Sequence, residues 1–272
     1  MRFCAGPGRL GPGTARFAYN AIVASSRALR AVVIAVVLVA LLLGGGVLWW
    51  LSPGRGIGAW RQGPPSHPWA AWQRQETVWR EQGLRRPIES SYVPLPAISI
   101  NLQLALLVGE DINFLGHGAF DFTAIREAIE ERERDGGRFR GASTITQQLA
   151  RTLFLSNERT LWRKLREARL AWWLERRLGK RRILELYLNV VEFGPGVLGA
   201  EAASRHYYGV AASAVDASQA AGLVAAIPSP GRDNPETSTP RWHARQALIL
   251  RRMEHASWLH RLLVSLDRSE RD

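Results

Sequence analysis

Residues Arg159–Asn189 read RTLWRKLREARLAWWLERRLGKRRILELYLN, and their spacing decides the fold class. Leu161, Leu165, Ala168 and Trp172 recur at intervals of four and three, and Ile183, Leu184, Tyr187, Leu188 and Val191 do the same, which is the period of two amphipathic helices. Strict apolar–polar alternation is scarce elsewhere in the 272 residues, so the expected fold is mainly α, with loop-rich intervals at 112–122 and from Pro228 to Pro240. The same stretch carries a charge pattern. On a helix Arg163 and Glu167 stand at i and i+4, and Lys164 and Glu167 at i and i+3, so all three side chains reach one patch. As exposed pairs they contribute ~0.5 kcal/mol each; in a cleft they form an anion site beside a carboxylate held ionised. Spacing leaves both readings open.

Two further blocks concentrate polar groups. GASTITQQLARTLFL, Gly141–Leu155, has Thr144 and Gln147 at the spacing of a capping box, so it starts a helix whose first N–H groups favour an anion. Ser143, Thr144, Gln147, Gln148 and Arg151 then crowd polar groups into about two turns, more than capping needs and suited to a sugar or a phosphate. GEDINFLGHGAFD, Gly109–Asp121, follows an apolar helical run from Leu102 to Val108. Glu110 and Asp111 end that helix beside Phe114 and His117, where an apolar wall would raise a carboxyl's proton affinity. A solvated helix end with a stray acid pair fits the same spacing.

The stretch AVVIAVVLVALLLGGGVLWWL, Ala31–Leu51, carries no charge and has the length of a hydrocarbon-spanning helix. An uncleaved membrane anchor is expected rather than a secretory signal, because the run is long for a signal and no small-x-small cleavage pattern follows it. Arg2, Arg9, Arg16, Arg27 and Arg30 precede it without an acid, which assigns residues 1–30 to a basic cytoplasmic tail. Pro53, Gly54, Gly63, Pro64, Pro65 and Pro68 mark a linker over 52–69, and an external domain is expected over 70–265. Trp49 and Trp50 suit the headgroup layer; Trp60, Trp69, Trp72 and Trp79 read as core residues of that domain.

Composition narrows the chemistry. With 36 Lys+Arg against 24 Asp+Glu the net charge is +12, and only Lys164 and Lys180 are lysines. Such an excess suits a polyanion: nucleic acid, anionic lipid or diphosphate. The lone cysteine, Cys4, excludes an intrachain disulfide and any multi-cysteine metal site, and 46% apolar residues exclude a disordered chain. There is no Walker loop, HExxH or GxSxG, and Gly6, Gly8 and Gly11 match GxGxxG by chance, with Pro7 among them and no strand before. No DxD occurs, so any sugar chemistry must hold its leaving group without a metal–diphosphate grip of that kind.

Taken together, the three blocks resemble the signature of the peptidoglycan glycosyltransferases of family 51, which carry EDxxFxxHxG, GxSTxTQQLxK, RKxxE and KxxILExYLN in that order. They stand here as Glu110, Asp111, Phe114 and His117; Gly141, Ser143, Thr144, Thr146, Gln147, Gln148 and Leu149; Arg163, Lys164 and Glu167; and Lys180, Ile183, Leu184, Glu185, Tyr187, Leu188 and Asn189. GPGVLGAEAASRHYYG, Gly194–Gly209, and AAGLVAAIPSP, Ala220–Pro230, are similar to the family's next blocks. Three positions depart from the pattern: Ala119 replaces a usual glycine, Arg151 a lysine and Thr152 an asparagine. Arg151 keeps the charge in a planar fork, and Ala119 is expected to restrict the loop after His117. Neither lysine completes an SxxK or KTG transpeptidase motif, so the resemblance is to the monofunctional, single-span members.

The resemblance implies a lysozyme-like glycosyltransferase domain on a single N-terminal transmembrane helix. It implies polymerisation of lipid II into β-1,4-linked glycan, with inversion and release of undecaprenyl diphosphate, by a periplasmic domain at the outer face of the bacterial cytoplasmic (inner) membrane. Glu110 is then the general base and Glu167 the second catalytic carboxylate. Arg163, Lys164 and Arg151 serve the diphosphate, and Asp111, Phe114, His117, Ser143, Thr144, Gln147 and Gln148 bind substrate. The implied partners are lipid II, the growing glycan strand, membrane lipid and division or elongation proteins, not nucleic acid. No dedicated metal ligand set is present, and the resemblance leaves room only for a divalent cation at the diphosphate. Ile112, Phe114, Leu115, Phe120 and Phe122 either enter the outer leaflet or pack in the core. Two rivals stand beside this reading. The arginine–lysine pair beside Glu167 speaks against a lysozyme-like hydrolase that cuts finished glycan, and the intact Glu110 and Glu167 motifs against a non-catalytic anchored binding protein.

Overall fold

The computed structural model describes residues 88–135, 142–155 and 160–268, together with Glu158 and scattered positions from Ile34 to Gly83. The chain divides into two compact units, Met1–Pro53 and Gly54–Asp272. In the first, the described positions from Ile34 to Trp50 are helical, Leu41, Leu42 and Leu48 are exposed, and the rings of Trp49 and Trp50 meet edge to face. No helix among the described residues is long and apolar enough to cross a membrane. The basic tail expected over 1–30, most of the linker over 52–69 and several positions of the anchor expected over 31–51 lie outside the described residues, as do Trp60, Trp69 and Trp72.

The second unit is mainly helical. Helix α1 (Ile100–Glu110) is apolar nearly all round, which fits a helix buried on every side. Ser99 starts it, accepting from the Asn101 N–H and donating to the Val215 carbonyl at 2.7 Å. Against α1 pack α7 (Ala217–Ala226), α8 (Pro240–His255) and α9 (Ser257–Arg268). A second group joins α3 (Ile145–Phe154) to α4 (Leu161–Leu178) and α5 (Lys180–Val190). Helices α2 (Phe122–Asp135) and α6 (Ala200–Tyr208) complete the set. A small sheet has the order β1 (Glu89–Ser90), β3 (Val197–Leu198), β2 (Glu192–Gly194). Glu89 lies opposite Val197 in the parallel pair, and an irregularity between Glu192 and Gly194 bends the antiparallel one.

The face predicted for α5 is the buried one: Ile183, Leu184, Tyr187, Leu188 and Val191 are all in the core. The face predicted for α4 is not. Leu161 is 92% exposed and Leu165 44%, while Glu167, Leu170, Ala171 and Leu174 are buried. Glu167 can occupy that stripe because two cations one turn earlier neutralise it, so an ion-paired acid takes the inner position that apolar spacing assigned to Leu165.

Residues 111–121 form turns rather than regular structure, as do those from Pro228 to Thr237. The apolar residues of the first interval divide. Phe114 is fully buried, Leu115 and Phe120 lie partly buried against the core, and Ile112 and Phe122 are exposed. Ala119 has no positive φ, so alanine fits there without backbone strain.

At the end of α1 the packing is unusually close. A Cβ added to Gly109 would stand 2.7 Å from Cγ1 of Val224 on α7 and 3.4 Å from Cδ1 of Ile249 on α8. Glycine here lets both helices close on the turn that carries Glu110.

Trp79 is buried in the core, as its reading required, and donates its indole N–H to Glu192 at 3.1 Å. Burial raises the Glu192 carboxyl to about 7, and the Trp79 hydrogen bond opposes this only in part. Between the ordinary carboxylate range and pH 7 the folded chain therefore holds a proton that the unfolded chain has lost. Stability is present below that window and falls as pH rises through it, by about 3 kcal/mol on full ionisation. Glu192→Gln keeps the acceptor for Trp79 and is expected to raise Tm by several degrees at pH 8 but little at pH 5. Thermal melts across that range check it, and an equal shift at both pH values would contradict it.

Candidate active site

Glu110 is the last residue of α1, and both its carboxylate oxygens are engaged. Oε1 accepts from Nη2 of Arg245 at 2.6 Å, and the same nitrogen reaches the Gly109 carbonyl at 3.2 Å. Oε2 accepts from Nε2 of Gln148 at 3.0 Å. The amide of Gln148 is oriented from behind, because the Tyr187 hydroxyl donates to its Oε1 at 2.6 Å and leaves only the NH₂ end for Glu110. Burial, and then the charge of Glu110, push the Tyr187 pKa well up, so it stays a protonated donor. For Glu110 burial is also the largest influence and raises its proton affinity; Arg245, Gln148 and the charge of Arg151 pull it back without cancelling the rise. A carboxylate oxygen has about two acceptor sites, so one hydrogen bond to each leaves capacity for a proton from a ligand.

Asp111 and His117 fasten the turn that follows. Asp111 accepts from the Ile145 N–H, the first residue of α3, at 3.0 Å and pairs through its other oxygen with Nε2 of His117 at 2.8 Å. His117 Nδ1 lies 2.7 Å from the Gly118 carbonyl. Burial lowers the affinity of His117 for a second proton, but the hydrogen bonds to Asp111 and Gly118 and the Asp111 charge outweigh it, and the net shift is upward. Asp121 caps α2 through the Ala124 N–H at 2.9 Å, and despite burial its pKa is lowered by such bonds. Ligand atoms of Asp111, His117 and Asp121 lie within 4.8 Å of one another, a spacing a divalent cation would accept. The donor set fits such an ion poorly, because Asp111 and Asp121 each spend an oxygen on a helix N-terminus and the His117 ring is held by Asp111. Phe114 lies in the core with Nζ of Lys180 4.3 Å from its ring centre, so it supports the loop and faces no open space.

Thr144 begins α3 with the expected capping box, its hydroxyl accepting from the Gln147 N–H at 3.2 Å and donating to the Ala119 carbonyl at 2.8 Å. Thr144 and Gln147 are thereby occupied locally, whereas Gln148 and Arg151, three apart on the helix, both act on Glu110. Glu167 is 2% exposed and is held by Arg163 and by Nζ of Lys164 at 2.5 Å. Glu167 is therefore no exposed surface acid: its carboxylate is buried and paired, while Lys164 stays 45% exposed. Nζ of Lys164 also donates to the Ser143 hydroxyl at 3.0 Å. Ser143 and Glu110 line one open cavity of about 580 Å³, and the Glu167 cluster stands behind its wall, joined to it by the Lys164–Ser143 hydrogen bond. Nε of Arg163, of Arg169 and of Arg245 are buried and make no hydrogen bond among the described residues.

Sequence reasoning missed Arg245, which lies 135 residues from its partner and inside an unremarkable arginine-rich helix. It missed Arg251, Arg252 and His255, which line the same cavity from α8, because nothing in their spacing sets them apart. Glu185 and Asn189, part of the quoted signature, hold the segment at 92–95 instead: Glu185 accepts from the Leu95 N–H at 2.9 Å, and Asn189 bonds both the N–H and the carbonyl of Val93.

Arg245→Gln removes the largest influence that lowers the proton affinity of Glu110, so the Glu110 titration should move to higher pH. Carbon-13 NMR of the labelled carboxyl reads this directly; an unmoved or lowered midpoint would show that the ion pair does not tune the acid.

Comparison with known proteins agrees with this arrangement. Residues 76–254 match the family model described as Transglycosylase. Over 198 residues the chain is 45% identical to a biosynthetic peptidoglycan transglycosylase of Nitrosospira multiformis, covering 73% of this chain and 86% of that protein. A protein of the same name from Methylobacillus flagellatus is 51% identical over 143 residues, 53% of this chain and 62% of its own. Another, from Bordetella pertussis, is 44% identical over 189 residues, 68% and 78% of the two chains. The mainly helical fold and these matches together place the chain in the transglycosylase family.

Proposed function

We propose that the chain polymerises lipid II into β-1,4-linked peptidoglycan glycan, releasing undecaprenyl diphosphate. The observation that carries this reading is Glu110, a largely buried acid with raised proton affinity, on a cavity that Arg251 and Arg252 also line and whose wall residue Ser143 accepts from Lys164 of the Glu167 cluster. The 4-hydroxyl of an incoming lipid II attacks the anomeric carbon of the lipid-linked chain. The new C–O bond forms as the bond to diphosphate breaks, with inversion, and Glu110 takes the hydroxyl proton. Negative charge grows on the departing diphosphate, where Arg163, Lys164 and Arg151 stabilise it while Glu167 fixes the first two in place. Asp111, His117, Thr144 and Gln147 hold the loop and α3 in register, and no step is routed through a metal ion.

The hydrocarbon-length apolar run at 31–51 supports a single membrane anchor, with residues 1–30 cytoplasmic, a linker over 52–69 and the catalytic domain over 70–265 in the periplasm. Tethering keeps the domain at high effective concentration beside a substrate that stays in the bilayer.

Glu110→Gln should reduce glycan synthesis from lipid II by at least about 10²-fold while donor binding persists, because only the proton acceptor is lost. Near-native polymer on gels from that variant would refute the role of base. Lys164→Ala should weaken donor binding about tenfold by removing a charge-assisted contact, read by competition with a phosphoglycolipid inhibitor. An unchanged affinity would move the diphosphate elsewhere. Hydrolysis of purified sacculi without polymerisation of lipid II would favour the lysozyme-like rival.

A further inference from the structure

Tyr187 on α5 is 1% exposed and is not among the residues that line the Glu110 cavity. It still reaches the proposed base through one intermediary. Its hydroxyl donates to Oε1 of Gln148 at 2.6 Å, and Nε2 of that amide donates to Oε2 of Glu110 at 3.0 Å. Two hydrogen bonds in series thus join α5, α3 and α1 and end on the acid. The direction of the first bond is fixed by the phenol. Tyr187 stays protonated in its buried place, its proton needs an acceptor, and among the described residues that acceptor is the Gln148 carbonyl.

The two ends of a primary amide have nearly the same shape and opposite hydrogen-bonding character, so half a turn exchanges donor for acceptor at little steric cost. At Glu110 the exchange decides which form of the acid is favoured. The NH₂ end donates to the carboxylate and stabilises it; the carbonyl end repels the carboxylate and accepts from the protonated acid. With Tyr187 present, a turned amide would leave the phenolic proton buried without an acceptor. We infer that Tyr187 is a positioning residue for the reaction: by fixing the carbonyl of Gln148 it keeps the amide's donor end on Glu110 and so favours the ionised, proton-accepting form of the base. This rests on the proposed function for what Glu110 does. Arg245 from α8 and Arg151 from α3 act on Glu110 by charge, and Asp111, Asp121, Glu127, Arg251, Arg252 and His255 line the cavity beside it. Removing one neutral hydroxyl behind Gln148 leaves every one of these in place.

Tyr187→Phe in the full-length protein tests this, since it keeps the ring and removes only the hydroxyl; a thermal melt confirms folding. The titration midpoint of the Glu110 carboxyl, followed by carbon-13 NMR, should move to higher pH. Polymerisation of lipid II should show the same displacement: kcat/KM falls about tenfold on the acid limb, the effect of one charge-assisted hydrogen bond, and little on the plateau. In a Gln148→Ala background the same substitution should leave the midpoint where that single variant has it, because the hydroxyl acts only through the amide. In the unsubstituted protein the side-chain NH₂ resonances of Gln148 should titrate together with Glu110. An unmoved midpoint with a uniform loss of rate at every pH would reduce Tyr187 to a structural role and overturn the inference. So would an equal displacement in both backgrounds, or Gln148 resonances indifferent to the Glu110 titration. Failure of the wild-type chain to polymerise lipid II would count against the proposed function, whereas the NMR titrations read the positioning without turnover.

Discussion

A carboxylate removed from water must be met by positive charge or give up its own, and Glu110 and Glu167 answer that demand differently. Glu167 finds its cations one helical turn away, on α4 itself. Glu110 finds Arg245 on α8, far along the chain, so its pairing depends on tertiary packing. The close fit of α7 and α8 around Gly109 is what brings that guanidinium to the end of α1. The difference in origin has a chemical consequence. Glu167 sits in a cluster with two bonds from adjacent cations, whereas burial dominates at Glu110 and leaves it with raised proton affinity. An acid of the first kind suits holding charges in place, and one of the second kind suits taking a proton.

The residues of the family signature divide by what they touch. Asp111, His117, Phe114 and Thr144 tie the turn after α1 to α3 and to the core. Glu185 and Asn189 secure the segment before α1. Glu110 with Gln148, and Ser143 with Lys164 and Glu167, form two hydrogen-bonded sets, of which Glu110 and Ser143 line the cavity. Most of the signature therefore builds the frame that positions a few reacting groups, and an error of an ångström in that frame would move Gln148 or Arg245 off the Glu110 oxygens.

Local features were legible in the sequence because helical period and capping depend on neighbours in the chain. The capping box at Thr144, the buried face of α5, the turns after Glu110 and the Arg163–Lys164–Glu167 cluster all follow from short spacings. The inner face of α4 was not legible, since apolar count favoured Leu161 and Leu165 and which side of the helix meets the core is decided by its packing against other helices. Arg245 was invisible for the same reason, as were the cations on α8 that share its cavity. Substrate-binding candidates with short side chains, such as Thr144, turned out to be engaged with the backbone, a commitment that residue type cannot announce.

The central claim is that the Glu110 carboxylate, held at raised proton affinity by burial, is the group that accepts the proton. The dependence of kcat/KM on pH for polymerisation of lipid II by the wild-type chain tests it most directly. An acid limb displaced above the ordinary glutamate value of 4.5 is the expected result, since the base works only when ionised. A rate that stays level down to that value, or a limb below it, would contradict the assignment.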